Sequence, residues 1–218
     1  LTGTDLEVEL TATVPLEVED PATVTVPARK LQDIWRQLPD SSEVTLDQDG
    51  EKVVVRAGRF RSALSTLPAT DYPRPELSAS EVVLELRPAE LRRLMDQTGF
   101  AMAQQDVRFF LNGMLFEFGP GYARTVATDG HRLAMSTVEA QVGSGVLKQV
   151  IVPRKGVQEL QRILSDAEDG VRIEIGASHL RATVAGLAMT TKLIDGRFPD
   201  YDRVIPRGGE IVAVMDKV

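Results

Sequence analysis

The chain repeats itself at long range, and nothing else in it limits the possible folds as much. Val26-Pro27-Ala28-Arg29-Lys30-Leu31-Gln32-Asp33-Ile34-Trp35-Arg36-Gln37-Leu38 aligns without a gap on Val152-Pro153-Arg154-Lys155-Gly156-Val157-Gln158-Glu159-Leu160-Gln161-Arg162-Ile163-Leu164, 126 positions later. Leu67 and Leu193 keep that offset. So do Pro73 and Pro199, each behind an aromatic, Tyr72 and Phe198. Thr4-Asp5 matches Thr128-Asp129 at 124, and Glu81-Val82-Val83 resembles Glu210-Ile211-Val212 at 129. Such small drifts are what loop insertions leave. A period this long exceeds a solenoid's, so the units are tandem domains. On this reading residues 1–77 are the later part of one unit, 78–206 a complete second, and 207–218 the first strand of a third. Both ends then read as cut from a longer protein.

Inside the complete unit, 81–87 alternates as a strand and Pro88 opens a helix, where its missing N–H costs nothing. Leu91, Leu94, Met95, Thr98 and Met102 recur at helical spacing, which predicts a helix over 87–103. Strand-like runs follow over 111–118, 123–128, 132–138 and 149–152, separated by Pro120-Gly121 and Asp129-Gly130 turns. A second helix over 153–164 carries Val157, Leu160 and Leu164, and strands over 171–175, 180–185 and 188–193 close the unit. The first unit repeats the later half, with Leu31, Ile34, Trp35 and Leu38 on one helix face. The expected fold is α+β, each unit setting two helices against mostly antiparallel sheets. Helices half a unit apart suggest that the unit is itself two-fold.

Cysteine is absent, which excludes disulfides and thiolate metal sites and suits a cytoplasmic location. No apolar run approaches the roughly 18 residues of a membrane span, so no membrane partner is expected. The net charge of -7 argues against a nucleic-acid binder until its distribution is read. The three predicted helices hold nine basic and four acidic residues, leaving the remainder strongly acidic. Repeated basic helix faces on an otherwise acidic protein suit contact with a phosphate backbone, without sequence readout.

Signals for catalysis are sparse. His131 could act as a base oriented by Asp129 or Asp195, but a lone histidine beside a turn more often binds or supports. His179 sits in a predicted hairpin turn. Asp195, Asp200 and Asp202 form an acidic cluster that could hold a cation for a nuclease, although the Gly196 turn and Pro199 favour a surface loop. No phosphate loop or dinucleotide fingerprint occurs, and no cofactor or metal is expected. A protein-interaction module of related fold is the other alternative.

Gln105-Asp106-Val107-Arg108-Phe109-Phe110-Leu111-Asn112-Gly113-Met114-Leu115-Phe116 and Thr125-Val126-Ala127-Thr128-Asp129-Gly130-His131-Arg132-Leu133-Ala134 closely resemble segments of the bacterial beta clamp family, the beta subunits of DNA polymerase III. So do Val152-Pro153-Arg154-Lys155-Gly156 and Asp195-Gly196-Arg197-Phe198-Pro199-Asp200-Tyr201. The resemblance implies three clamp domains per chain and a homodimeric head-to-tail ring around duplex DNA. It implies no catalysis, but tethering of the polymerase III catalytic subunit, the clamp loader and other clamp-motif replication and repair proteins. The family's partner-peptide pocket maps here to Arg108, Leu111, Thr128, Gly130, His131, Arg132, Leu133, Pro199, Arg203 and Val204. Its DNA contacts map near Arg29, Lys30, Gln105, Phe109, Phe110, Arg154 and Lys155, to which the basic helix adds Arg92 and Arg93. Family members often carry tyrosine where Phe109 and Phe110 stand, so hydroxyl contacts are lost there.

Overall fold

A computed structural model describes residues 1–16, 18, 21–75, 79–142, 147–165, 167–206 and 208. The first part of the chain forms β1 (Thr2–Thr4), β2 (Val8–Ala12), α1 (Ala28–Gln37), β3 (Thr45–Asp49), β4 (Lys52–Ala57) and β5 (Phe60–Ser65). Next come β6 (Val82–Leu86), α2 (Pro88–Thr98), β7 (Gly113–Gly119), β8 (Tyr122–Thr128) and β9 (Leu133–Glu139). The last group is β10 (Lys148–Pro153), α3 (Arg154–Ile163), β11 (Val171–Ile175), β12 (His179–Val184) and β13 (Leu187–Lys192).

The segment from β6 to β13 consists of two halves of one pattern, a strand, a helix and a three-stranded meander. Each half gives its first strand to the other's meander. β6 pairs with β11, and β10 pairs with β7, all antiparallel. This is the two-fold character expected from the helix spacing. Both helices pack their apolar stripes against the sheets. Leu91, Leu94 and Met95 of α2 and Val157 and Leu160 of α3 share one core with Phe116, Phe118, Ile173 and Ile175.

The earlier part of the chain copies the later one. α1 with the sheet β3-β4-β5 corresponds to α3 with β11-β12-β13, and β1-β2 corresponds to β8-β9. The copies join by strand pairing. β2 lies on the outer edge of β13, from Val8 opposite Thr191 to Ala12 opposite Leu187, so one six-stranded sheet runs β1-β2-β13-β12-β11-β6 across the seam.

Three expectations need correction. The helix read over 87–103 ends at Thr98, and Gly99–Ala101 tighten into a 3-10 turn. There Thr98 Oγ1 donates back to the Leu94 carbonyl at 2.7 Å, and the glycine that follows is a poor helix former. The strand read from 111 starts at Gly113, because Phe109–Asn112 form a 3-10 turn. Its Asn112 side chain closes a loop through two bonds of 2.9 Å to the Asp106 backbone. The apolar face of α1 is only partly covered, and Trp35 stays 48% exposed, since no counterpart of α2 lies beside it among the described residues. The strand expected over 207–218 lies, apart from Gly208, outside the described residues.

Candidate functional site

The hairpin between β8 and β9 has a built geometry. The Thr128 hydroxyl donates to the Arg132 carbonyl at 2.7 Å and accepts the Gly130 N–H at 3.1 Å. Asp129 Oδ1 accepts the backbone N–H groups of His131 and Arg132 at 2.9 and 3.0 Å, and Asp129 Oδ2 takes the Arg132 Nε–H at 3.0 Å. Gly130 has φ of +90°, a left-handed value that glycine adopts freely. The Arg108 guanidinium turns the edge formed by its two terminal nitrogens towards it, so that a side chain here would meet both nitrogens at 3.0 Å. Asp106 holds that guanidinium by two bonds of 2.8 and 3.0 Å, and the Asp129 carbonyl accepts from it at 3.3 Å. Arg132 also stacks over Phe100, 5.4 Å from the ring centre.

Both carboxylates are held at about 2, well below the usual carboxylate range: Asp129 first by the Arg132 and His131 N–H groups, Asp106 first by the Arg108 guanidinium. A carboxylate depressed on folding supports the folded form above its ordinary value and loses that support as pH falls towards its folded value. The turn is therefore expected to stay closed at neutral pH and to loosen between about pH 4 and pH 2. The amide resonances of Gly130–Arg132 should report this. Asp129→Asn with Asp106→Asn should abolish the titration, and resonances unchanged down to pH 2 in wild type would refute it.

The second element is the run after β13. Ile194 bridges to Ile151, its N–H reaching the Ile151 carbonyl at 2.9 Å. From there the chain crosses the outer face of the sheet β10-β7-β8-β9. Phe198 and Tyr201 are buried in a cluster with Leu115, Val126 and Ile151, and Leu133, Phe110 and Ile205 pack at its margin. Tyr201 is fixed from below by Glu117, only 3% exposed. Both Glu117 oxygens lie 3.0 Å from the Tyr201 hydroxyl, and Tyr122 Oη, Gln149 Nε2 and Arg124 Nη1 reach the same carboxylate at 2.9, 2.6 and 3.3 Å. Arg124 also donates to Tyr201 Oη at 2.9 Å. Burial pushes both tyrosine hydroxyls up, which keeps them protonated donors. Sequence reading missed this network, because Glu117 and Arg124 sit where an alternating strand puts solvent-facing residues.

The residues expected to line a peptide pocket thus fall into two sets. Arg108, Thr128, Gly130 and Arg132 meet at the turn, joined by the bonds above. Pro199, Arg203 and Val204 are exposed on the crossing segment, and Leu133 packs at the margin of the cluster that holds Phe198 and Tyr201. His131 is exposed, whereas Leu111 is 2% exposed and lies inside the protein. Arg203 is paired with Asp200 at 2.8 Å, which ties up one member of the acidic cluster. Among the described residues no group of three or more acidic or histidine side chains is placed to hold a metal. No helix among them is long and apolar enough to cross a membrane.

The residues expected to face DNA are more scattered. Arg92 and Arg93 are exposed on α2, with Arg92 donating to the Ser165 carbonyl at 3.2 Å. Arg29 and Lys30 are exposed on α1. Gln105, Phe109 and Phe110 lie on the loop before β7, where Phe109 is 55% exposed and meets Phe110 edge-on at 5.8 Å. Arg154 is half-buried and donates to the Met102 carbonyl at 3.4 Å. Lys155 is ion-paired with Asp5 and, at 3.6 Å, with Glu7 across the seam.

These elements define a tandem scaffold, with units joined edge to edge through the β2–β13 pairing. Known proteins place it in a family. Residues 1–77 match the N-terminal domain of the DNA polymerase III beta subunit, and residues 85–200 match its central domain. The chain is 51% identical to the beta sliding clamp of Pseudomonas aeruginosa over 218 residues, all of this chain and 59% of that one. It is 50% identical to the Escherichia coli clamp over 209 residues, 95% of this chain and 57% of that one. A crystal structure of the Pseudomonas aeruginosa clamp with ligand superposes with a TM-score of 0.92 at 52% identity, over 96% of this chain and 57% of that one. The Caulobacter crescentus beta subunit gives 0.88 at 37% identity, over 95% and 58%. The chain belongs to the DNA polymerase III beta-subunit family, the bacterial sliding clamps. It spans a little under three fifths of the length of these relatives.

Proposed function

We propose that this chain is part of a non-catalytic sliding clamp that closes around duplex DNA without reading its sequence. The free strand edges carry the reading. At the seam, the β2 edge of one unit meets the β13 edge of the next. β9 is the counterpart of β2 and β5 the counterpart of β13, and among the described strands each pairs on one side only. The chain therefore offers one edge of each kind. Head-to-tail contacts between unlike edges propagate until the rotation closes a ring. A third unit after residue 206 and a second copy of the protein would complete that ring, with residues 1–77 and 78–206 as the first and second units. Its helices would face inward, presenting Arg92, Arg93, Arg29 and Lys30 to phosphate. Its outer face would carry the hairpin and crossing segment as one wall of a pocket for apolar clamp-motif peptides. Such peptides would come from the polymerase III catalytic subunit, the clamp loader and repair proteins, in the cytoplasm.

The test uses the full-length protein loaded on nicked circular DNA. Retention on the circle and loss on linearisation are expected, and equal retention on both would overturn topological binding. Arg92→Glu with Arg93→Glu should lower the log–log salt slope of duplex binding by about one to two, if both side chains face phosphate. An unchanged slope would remove α2 from the DNA-facing surface.

A further inference from the structure

The Thr-Asp hairpin occurs twice with one geometry but two sources of positive charge. At the first copy the Thr4 hydroxyl donates to the Val8 carbonyl at 3.0 Å and accepts the Leu6 N–H at 3.1 Å. Asp5 Oδ1 accepts the Glu7 and Val8 N–H groups at 3.1 and 3.0 Å. Every one of these bonds has its counterpart 124 residues later, and Leu6 holds the left-handed place of Gly130, with φ of +77°. The difference lies at the fifth position. Arg132 there supplies its own guanidinium to Asp129, whereas Val8 has none to supply. Lys155, from the first turn of α3 in the next unit, takes that role for Asp5 and also reaches Glu7.

The seat of Lys155 is fixed independently. Its neighbour Gly156 presses α3 onto β13 so closely that a Cβ would stand 2.6 Å from Thr191 Oγ1 and 3.1 Å from Thr191 Cβ. Thr191 is the residue opposite Val8 in the seam ladder. The helix start, the seam strands and the first hairpin therefore meet at one point. We propose that Lys155 clasps the two units together through Asp5 and Glu7, acting as a positioning residue for the seam and not as a phosphate contact. The first hairpin is then engaged by its own chain. The second, neutralised internally by Arg132, keeps its surroundings free for a partner.

The test is a double-mutant cycle in the full-length protein, with Lys155→Gln, Asp5→Asn and both together, followed by hydrogen exchange. Each single change should speed exchange in Val8–Ala12 and Leu187–Lys192 by roughly two- to fivefold, since ion pairs this exposed are worth little more. The double variant should be no faster than either single one. In parallel, the salt slope of duplex binding should be the same for Lys155→Gln as for wild type. Additive effects on exchange, or none, would overturn the clasp. So would a slope lowered by about one for Lys155→Gln but not for Asp5→Asn, which is the signature of a lost phosphate contact. The exchange arm does not depend on ring closure, so a protein that failed to stay on circular DNA would still test it.

Discussion

Arg124→Met should cost about 2–4 kcal/mol of stability, because it strands the Glu117 carboxylate in the protein without its cation. Glu117 is 3% exposed, and Arg124 is the one cationic group among its hydrogen-bond partners. Arg124 also bonds Thr137 Oγ1 at 2.9 Å and lies 4.8 Å from the Tyr122 ring centre, so it is locked on three sides. Removing one member of a buried pair is costly, whereas removing both is often nearly neutral. Adding Glu117→Gln to Arg124→Met should therefore restore more than half of the loss in urea titrations. A loss below about 1 kcal/mol for Arg124→Met would show that the network is solvated like a surface pair. The effect should also reach the proposed peptide-binding face. Tyr201 anchors the segment that carries Pro199, Arg203 and Val204, so a clamp-motif peptide should bind more weakly to Arg124→Met than to wild type. Binding that stayed level while stability fell would detach the segment from the pocket.

The sequence made the repeat legible because Val-Pro followed by an amphipathic helix is a local signal, and it recurs at a fixed offset. The hairpin copy was visible in the Thr-Asp pair, since the side chains that build such a turn must be those residues. The periods of the apolar residues placed α2, α3 and all eight strands of the complete unit to within a few positions. What escaped was non-local. Glu117 and Tyr201 are 84 residues apart and meet only because the crossing segment lies over a sheet face that alternation marks as exposed. Lys155 looked like a member of a basic helix face, as Arg92 does. Only the seam register shows it facing the carboxylates of another unit. The counted charges of the helices also overstated the basic surface, here for a local reason. Arg87, which caps α2, is paired with Glu90, and Arg162 with Glu159 within α3.

Gly113→Ala, a change of one methyl group, should disturb both the sheet and the proposed peptide-binding face. A Cβ at Gly113 would stand 2.6 Å from the Val152 carbonyl oxygen, 2.8 Å from Ile151 Cγ2 and 2.9 Å from Ile194 Cδ1. The side-chain contacts could turn away, but the backbone oxygen belongs to the ladder in which Gly113 lies opposite Pro153 and Met114 opposite Val152. Relief must come from parting β7 and β10, which is overpacking at a cost of about 2–3 kcal/mol. Gly3→Ala is the matched control, because nothing lies within 4 Å of its Cβ position, and it should stay within about 0.5 kcal/mol of wild type. The displaced strand β10 bears Ile151, whose carbonyl holds the Ile194 N–H at 2.9 Å, the first fixed point of the crossing segment. Gly113→Ala should therefore speed amide exchange at Ile194 as well as in Gln149–Val152, and weaken peptide binding with it. If only the strand responded, the crossing segment would be held by the Tyr201 network alone, and its two anchors would be independent.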